Sequence, residues 1–350
     1  MHMPPLRLLI QQMTVFSLKW YLKDLKQDKD VTVFSTFSCG GGSTMGYKRA
    51  GFKVLGNVEI DPAINAMYVK NHHPKYNYNM DLREFNKLET VPEELLHLDI
   101  LDGSPPCTVF STAGLREKTW GKEKVFREGQ KRQRLDDLFG VVLATVEKLR
   151  PRVVIAENVP GLLKGNARGY VNEIINRFKE LGYAVQLFSL NAARMDVPSK
   201  RERVFFIANR EGFKPLKLSF NRPPIRFGEI RTEHGKPFKD KNSIFKKLLE
   251  IAKPSDKSIA DVRKRIGERE AGYNHVIWHD DEIASCVVSN SPCFRYCDKC
   301  YISDGDYINA QSFPQDYDFC RNNVKYVCGM SVPPNLMAHI ATEIYNQWFK

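Results

Sequence analysis

The sequence predicts an α/β fold with a mostly parallel sheet and a smaller second domain. Three observations carry that reading. Over residues 31–208, short β-rich runs alternate with segments of helical periodicity, the pattern of a sheet covered by helices. Three glycines, Gly40, Gly41 and Gly42, separate the first run from the first helix. Near Arg210 the alternation stops, and prolines, basic residues and short mixed segments follow to about Cys300.

The elements follow in order. Residues 31–37 contain no charge, which suits a buried parallel strand. Ser43 is placed to cap a helix running to about Ala50. Residues 53–59 read as a second strand, and Pro62 opens a second helix as its first-turn proline. Residues 98–103 form a third strand that ends in Ser104-Pro105-Pro106-Cys107. The polar stretch 112–133 reads as a loop and 135–149 as a helix. Residues 152–156 form a strand with Glu157 and Asn158 at its carboxyl end. A helix over 171–181 and strands over 183–190 and 203–208 complete the layer. The chain closes with Pro333-Pro334 and a helix over 335–349. The fairly apolar stretch 6–22 is broken by Gln11, Gln12 and Lys19, so it reads as an added helix or a ragged start rather than a signal peptide.

Composition narrows the partners. No stretch is apolar enough to span a bilayer. The eight cysteines show no disulfide framework, so reduced thiols in a cytosolic protein are expected. The net charge of +12 favours a polyanionic partner. Between Arg201 and Glu270 roughly nineteen basic side chains face ten acidic ones, a surplus of about nine. A solvated surface would also account for that surplus. Cys293, Cys297 and Cys300 are close in sequence, but a zinc site needs four ligands and a second close pair is missing, so no metal is expected.

Several residues with chemical potential fall at strand ends, where ligands of α/β sheets bind. Glycines between a strand and a helix let a ligand approach the backbone. Glu59, ending the next strand, is placed to take ribose hydroxyls. Thr44 and Met45 stand where a dinucleotide fingerprint would carry a further glycine, which argues against a nicotinamide cofactor. Two prolines hold the backbone before Cys107, although a cysteine is more often a small buried hydrophobe. Arg201 and Arg203 alternate along a strand start, so both can reach one face.

In order, these residues resemble the motifs of the cytosine-5 DNA methyltransferases, of the bacterial restriction-modification type. The segments are Phe37-Ser38-Cys39-Gly40-Gly41-Gly42, Gly103-Ser104-Pro105-Pro106-Cys107, Glu157-Asn158-Val159 and Val197-Pro198-Ser199-Lys200-Arg201-Glu202-Arg203. Gln311-Ser312-Phe313-Pro314 with Asp316-Tyr317 resembles the penultimate motif, and Gly329-Met330-Ser331-Val332-Pro333-Pro334 the last. The resemblance covers about 31–208 and 304–350. One such motif is weak evidence, whereas six in order are strong.

The resemblance implies a Rossmann-like S-adenosylmethionine-dependent methyltransferase domain with a smaller target-recognition domain. Residues 31–208, completed by 322–350, would bind cofactor; 209–321 would recognise the target; 1–30 would be an extension. It implies that Cys107 adds to carbon 6 of a flipped-out cytosine and makes carbon 5 nucleophilic. Glu157 would supply a proton at N3, with Asn158 beside it. Arg203 would contact the base carbonyl and Arg201 support the site. For S-adenosylmethionine it implies Phe37 on the adenine, Ser38 and glycines 40, 41 and 42 near the amino-acid part, and Glu59 with Ile60 at the ribose. Asp81 would meet the adenine edge and Pro106 the methyl donor. Arg116, Lys118, Lys122 and Lys124 would touch phosphates from a closing loop.

The implied partner is double-stranded DNA, with a restriction endonuclease acting on the same site as a second. A cytoplasmic, nucleoid-associated monomer that touches no membrane is expected. Four positions depart from the usual pattern: Cys39 stands for glycine, Ser199 for glutamine, Met330 for asparagine and Ser331 for alanine. Two other readings remain at this point, a transfer-RNA cytosine-5 methyltransferase and a catalytically silent DNA-binding protein.

Overall fold

The computed structural model describes residues 14–105, 138–163, 167–271, 275–289 and 291–350, together with the backbone of 123–124 and 133–134. At its centre is a seven-stranded sheet. β1 (Thr32–Thr36), β2 (Lys53–Val58), β3 (Tyr76–Tyr78) and β4 (Ile100–Gly103) come first. A two-residue antiparallel pair outside the sheet, β5 (Glu123–Lys124) and β6 (Gln133–Arg134), precedes β7 (Val153–Asn158), β8 (Ala184–Asn191) and β9 (Glu202–Asn209). The order across the sheet is β3-β2-β1-β4-β7-β9-β8.

The first five of these strands pair in parallel, and the central β1, β4 and β7 are the most deeply buried of them. β9 runs antiparallel to both β7 and β8. The chain steps from β1 outward through β2 to β3 and then returns to lay β4 on the other side of β1. That reversal opens a crevice beyond the carboxyl ends of β1 and β4, and it positions everything that follows.

Helices cover both faces. α1 (Gly42–Arg49), α2 (Pro62–His72), α3 (Leu82–Lys87) and α4 (Glu93–Leu96) belong to the first half, and α5 (Leu138–Leu149) and α6 (Ala167–Glu180) to the second. On one face Phe85, Phe139, Val142, Ile174 and Phe178 pack against Phe34, Val154 and Phe206. On the other, Tyr47 and Phe52 meet Leu336, Ile340 and Ile344 of α11 (Pro334–Ile344). The end of the chain thus completes a three-layer sandwich begun at residue 32. Between β9 and α11 lie α7 (Ile244–Glu250), α8 (Ile259–Arg265), the parallel pair β10 (Ile277–Trp278) and β11 (Phe294–Arg295), α9 (Asp304–Ala310) and α10 (Val324–Met330).

Two local expectations are corrected and a third is narrowed. Ser43 does not cap α1; it lies inside the helix, and Gly41 is the cap residue, at a left-handed φ of 71°. Of the stretch 6–22, expected as an added helix or a ragged start, residues 14–21 are irregular and a single tight turn forms at Leu22–Asp24, while 6–13 lie outside the described residues. Hydrogen bonds to distant groups hold that segment instead: Phe16 N–H to Asp196 (3.1 Å) and the Trp20 indole to Ser312 O (3.0 Å). At the other end of the chain, α11 stops at Ile344, and residues 345–349 continue as a wider π turn.

Candidate active site

The side of the crevice expected to take cofactor is built at the ends of β1, β2 and β3. Phe37 and Cys39 adopt left-handed φ values of 52° and 46°, so the chain leaves β1 in a sharp turn. The Cys39 amide donates to Glu59 Oε2 at 2.9 Å and the Asp61 amide to Glu59 Oε1 at 3.0 Å. Asp61 in turn caps α2. Ser38 is fixed from two sides: its hydroxyl accepts from Asn57 (3.1 Å), and its amide bonds Val58 O (3.4 Å). Ile60 lies half-buried beside Glu59.

Asp81 caps α3 through the Arg83 amide (2.8 Å) and pairs with the Arg83 guanidinium (3.2 Å). Burial pushes the Glu59 carboxyl above its ordinary range, and the Asp61 and Cys39 amides only partly offset that. Each Glu59 oxygen has accepted one amide and keeps a further lone pair, which suits a vicinal diol. With the half-buried Phe37 ring along the same edge, the residues present fit a nucleoside-bearing cofactor.

The glycines at 41 and 42 meet protein. A Cβ at Gly41 would run into the His72 imidazole, and one at Gly42 into the Val332 carbonyl. Only glycine allows His72 and the return segment to press this closely on the turn.

The side expected to hold the reacting base forms where β4, β7 and β9 end together. Gly103 is opposite Ala156 in the register, and Asn158 is opposite Val204. The Asn158 amide donates to Pro105 O at 3.5 Å, tying the end of β7 to the turn that leads toward Cys107. Arg203 Nε lies 2.7 Å from Glu157 Oε1. This is an ion pair and not an aligned hydrogen bond, since that oxygen has no hydrogen-bond partner. Arg201 turns away. Its guanidinium donates to Gly329 O (3.1 Å) and Ser331 O (3.0 Å) and touches Cys286 Sγ (3.8 Å). Burial, helped by Arg203, lowers its pKa.

Pro106, Cys107, Arg116, Lys118 and Lys122 lie outside the described residues, as does the Lys124 side chain. The other expected positions, Phe37, Ser38, Gly40, Gly41, Gly42, Glu59, Ile60, Asp81, Glu157, Asn158 and Arg203, fall along one edge of the sheet. Arg201 supports that edge from behind.

A buried acid beside this site went unread in the sequence. Asp102, fully buried in β4, accepts from the Ser35 hydroxyl (2.8 Å) and the Tyr47 hydroxyl (3.1 Å). Burial pushes its pKa up to about 7, against those two hydroxyls. Its only signal was an acid next to the end of an apolar strand.

Comparison with known proteins agrees with this geometry. Residues 31–284 match the model of the C-5 cytosine-specific DNA methylases. The chain is 26% identical over 362 residues to the Type II methyltransferase M1.HphI of Haemophilus parahaemolyticus, covering 94% of this chain and 91% of that protein. It is 27% identical over 356 residues to M.Sau96I of Staphylococcus aureus, covering 92% and 77%. With M.FnuDI of Fusobacterium nucleatum it shares 33% identity over 192 residues, 55% of this chain and half of that one.

Among solved structures is one described as a DNA modification methyltransferase encoded within an E. coli prophage. It superposes with a TM-score of 0.65 at 20% identity, covering 92% of this chain and 100% of the other. A mutant of Spodoptera frugiperda DNMT2 superposes at 0.61 with 16% identity, covering 90% and 100%. At such identities these structures speak to the fold.

Proposed function

This chain belongs to the C-5 cytosine-specific DNA methylase family, and on that premise we propose that it methylates carbon 5 of a cytosine within one short double-stranded DNA sequence, through a Cys107 adduct. Carbon 5 is a poor nucleophile until a thiolate adds to carbon 6. Cys107 attacks there, and the ring electrons move toward N3, where Glu157 delivers a proton. Arg203 holds the base carbonyl, and Arg201 holds the segment that carries Arg203. S-adenosylmethionine, when bound at Phe37, Ser38, Glu59 and Asp81, supplies an electrophilic methyl group. A base then removes the carbon-5 proton, Cys107 leaves as a thiolate as carbons 5 and 6 regain their double bond, and the N3 proton returns to Glu157.

The reading rests on one observation above the rest. At the neighbouring ends of β4, β7 and β9, Asn158 is hydrogen-bonded to Pro105 and Glu157 is ion-paired with Arg203. A stacked base cannot reach such a crevice, so the cytosine is flipped out. Residues 209–321, rich in lysine and arginine, read the site, and 322–350 complete the cofactor domain. Protection of host DNA beside a restriction endonuclease fits the Type II names of the relatives. Action by a monomer in the cytoplasm fits one site working on one base. Among the described residues no helix is long and apolar enough to cross a membrane.

Bisulfite sequencing at base resolution tests the proposal. Unmethylated DNA is incubated with S-adenosylmethionine and either the wild-type chain or Cys107→Ala. Protected cytosines in one short sequence, seen with wild type only, are expected. No protection under varied salt and pH would overturn the DNA reading, and RNA would be the next substrate to try.

A further inference from the structure

The turn over 311–317 and α10 meet the glycine loop from outside the sheet. The buried Tyr317 hydroxyl donates to the Gly40 carbonyl at 2.7 Å. α10 presses on the same residue, since a Cβ at Gly40 would lie 2.5 Å from Val327 Cγ1. Phe313 and Phe319 pack edge-on against the Tyr317 ring at 5.4 and 4.9 Å, and His72, which backs Gly41, lies 6.0 Å away. The other end of this turn reaches the reaction side, where the Gln311 amide donates to the Ser199 hydroxyl (3.2 Å), two residues before Arg201. A single turn therefore touches the cofactor loop at one end and the arginine segment at the other.

We infer that Tyr317 is a positioning residue for cofactor binding, one whose hydroxyl fixes the Gly40 peptide and so couples the region after Arg210 to the glycine loop. The inference rests on the reading that this loop receives S-adenosylmethionine. A buried carbonyl that loses its donor is costly, and the loop would relax to regain one. Binding would then have to restore the ordered turn, and affinity would fall by that amount.

The test is calorimetric titration of S-adenosylmethionine into the full chain, as wild type, Tyr317→Phe and Tyr183→Phe. The Tyr183 hydroxyl also donates to a buried carbonyl, Pro151 O at 2.6 Å, but at the opposite edge of the sheet. Both variants lose the same kind of bond, so a general loss of stability affects both alike. Tyr317→Phe is expected to raise Kd about fivefold or more, while Tyr183→Phe leaves it unchanged. KM for S-adenosylmethionine should rise in proportion, with kcat at saturation within about twofold of wild type.

Wild-type affinity in Tyr317→Phe overturns the inference and leaves the functional reading standing. If wild type itself binds no S-adenosylmethionine, the functional reading fails and takes the inference with it. Should Tyr317→Phe not fold, Tyr317→Met, which also lacks the hydroxyl, takes its place, and wild-type affinity there would overturn the inference equally.

Discussion

Arg201 and Arg203 carry the same charge two positions apart and have unlike surroundings. Arg201 is 3% exposed and spends its guanidinium on the carbonyls of Gly329 and Ser331. Arg203 keeps to the crevice, where it meets Glu157. Carbonyl recognition by a planar fork is poorly served by lysine. Glu157 supports the sharper prediction. Glu157→Gln keeps the shape and removes the acid, so if the residue protonates N3, kcat should fall about 10²- to 10⁴-fold. S-adenosylmethionine affinity should stay the same, since Glu157 lies on the reaction side. Single-turnover methylation with parallel binding titrations checks both. A variant that kept its rate would remove Glu157 from the chemistry.

At the scale of elements, β4 carries a buried acid that links the strand to its neighbours. Asp102 binds Ser35 of β1 and Tyr47 of α1, and the negative charge of Glu157 on β7 also raises its pKa. Its folded pKa of about 7 stands above the ordinary 3.8. Between those values the folded chain holds a proton that the unfolded chain has released. Stability from this group is therefore full below pH 4, falls as pH rises toward 7, and is level beyond. Buried Glu59 slopes the same way, and His72, whose pKa burial lowers, slopes the opposite way. Asp196, held at about 2 by His339, Arg222 and the Phe16 amide in spite of burial, acts only in more acidic solution. The difference between wild type and Asp102→Asn isolates one group. Urea midpoints from pH 4 to 8 should converge or cross as pH rises, and a pH-independent difference would refute the assignment.

Much of this element layer was legible in the sequence. β1, β4 and β7 are apolar, β-rich runs, and such runs read as buried strands. β3 was not legible, because Tyr76-Asn77-Tyr78 is a short edge strand with its side chains half in solvent. The reversed direction of β9 was also hidden, since side-chain pattern carries no strand direction. On the cofactor side the positions at strand ends could be read. Asp102 and His72 could not, and Tyr317 was legible as part of the penultimate motif but not as the donor to Gly40, because these roles depend on partners far along the chain that no spacing announces.

Across the whole molecule, one hydrophobic cluster joins regions distant in the chain. Trp20, Met45 of α1, and Ile64 and Met67 of α2 pack with Phe227, Trp278, Tyr307, Phe313 and Val327. Trp20 is central to that seam. Its indole donates to Ser312 O, its carbonyl accepts from the Gln315 amide, and the Arg49 guanidinium lies 4.5 Å over its ring. The next residues, Leu22 and Lys23, donate to Asp316 at 2.6 and 3.2 Å. The segment before β1 thus straps the turn that carries Gln311 and Tyr317 against α1. Trp20→Ala removes a buried aromatic and should cost about 3–5 kcal/mol. Because the cluster spans the sheet layer and residues 227–328, that loss should shift one cooperative transition in equilibrium unfolding and leave it undivided. Tryptophan fluorescence at the remaining three tryptophans, set against far-ultraviolet circular dichroism, provides two probes of the same transition. Coincident curves at a lower midpoint are the expected result. Curves that separate, with only one displaced, would mean that the region after Arg210 unfolds apart from the sheet and that the strap holds only one side.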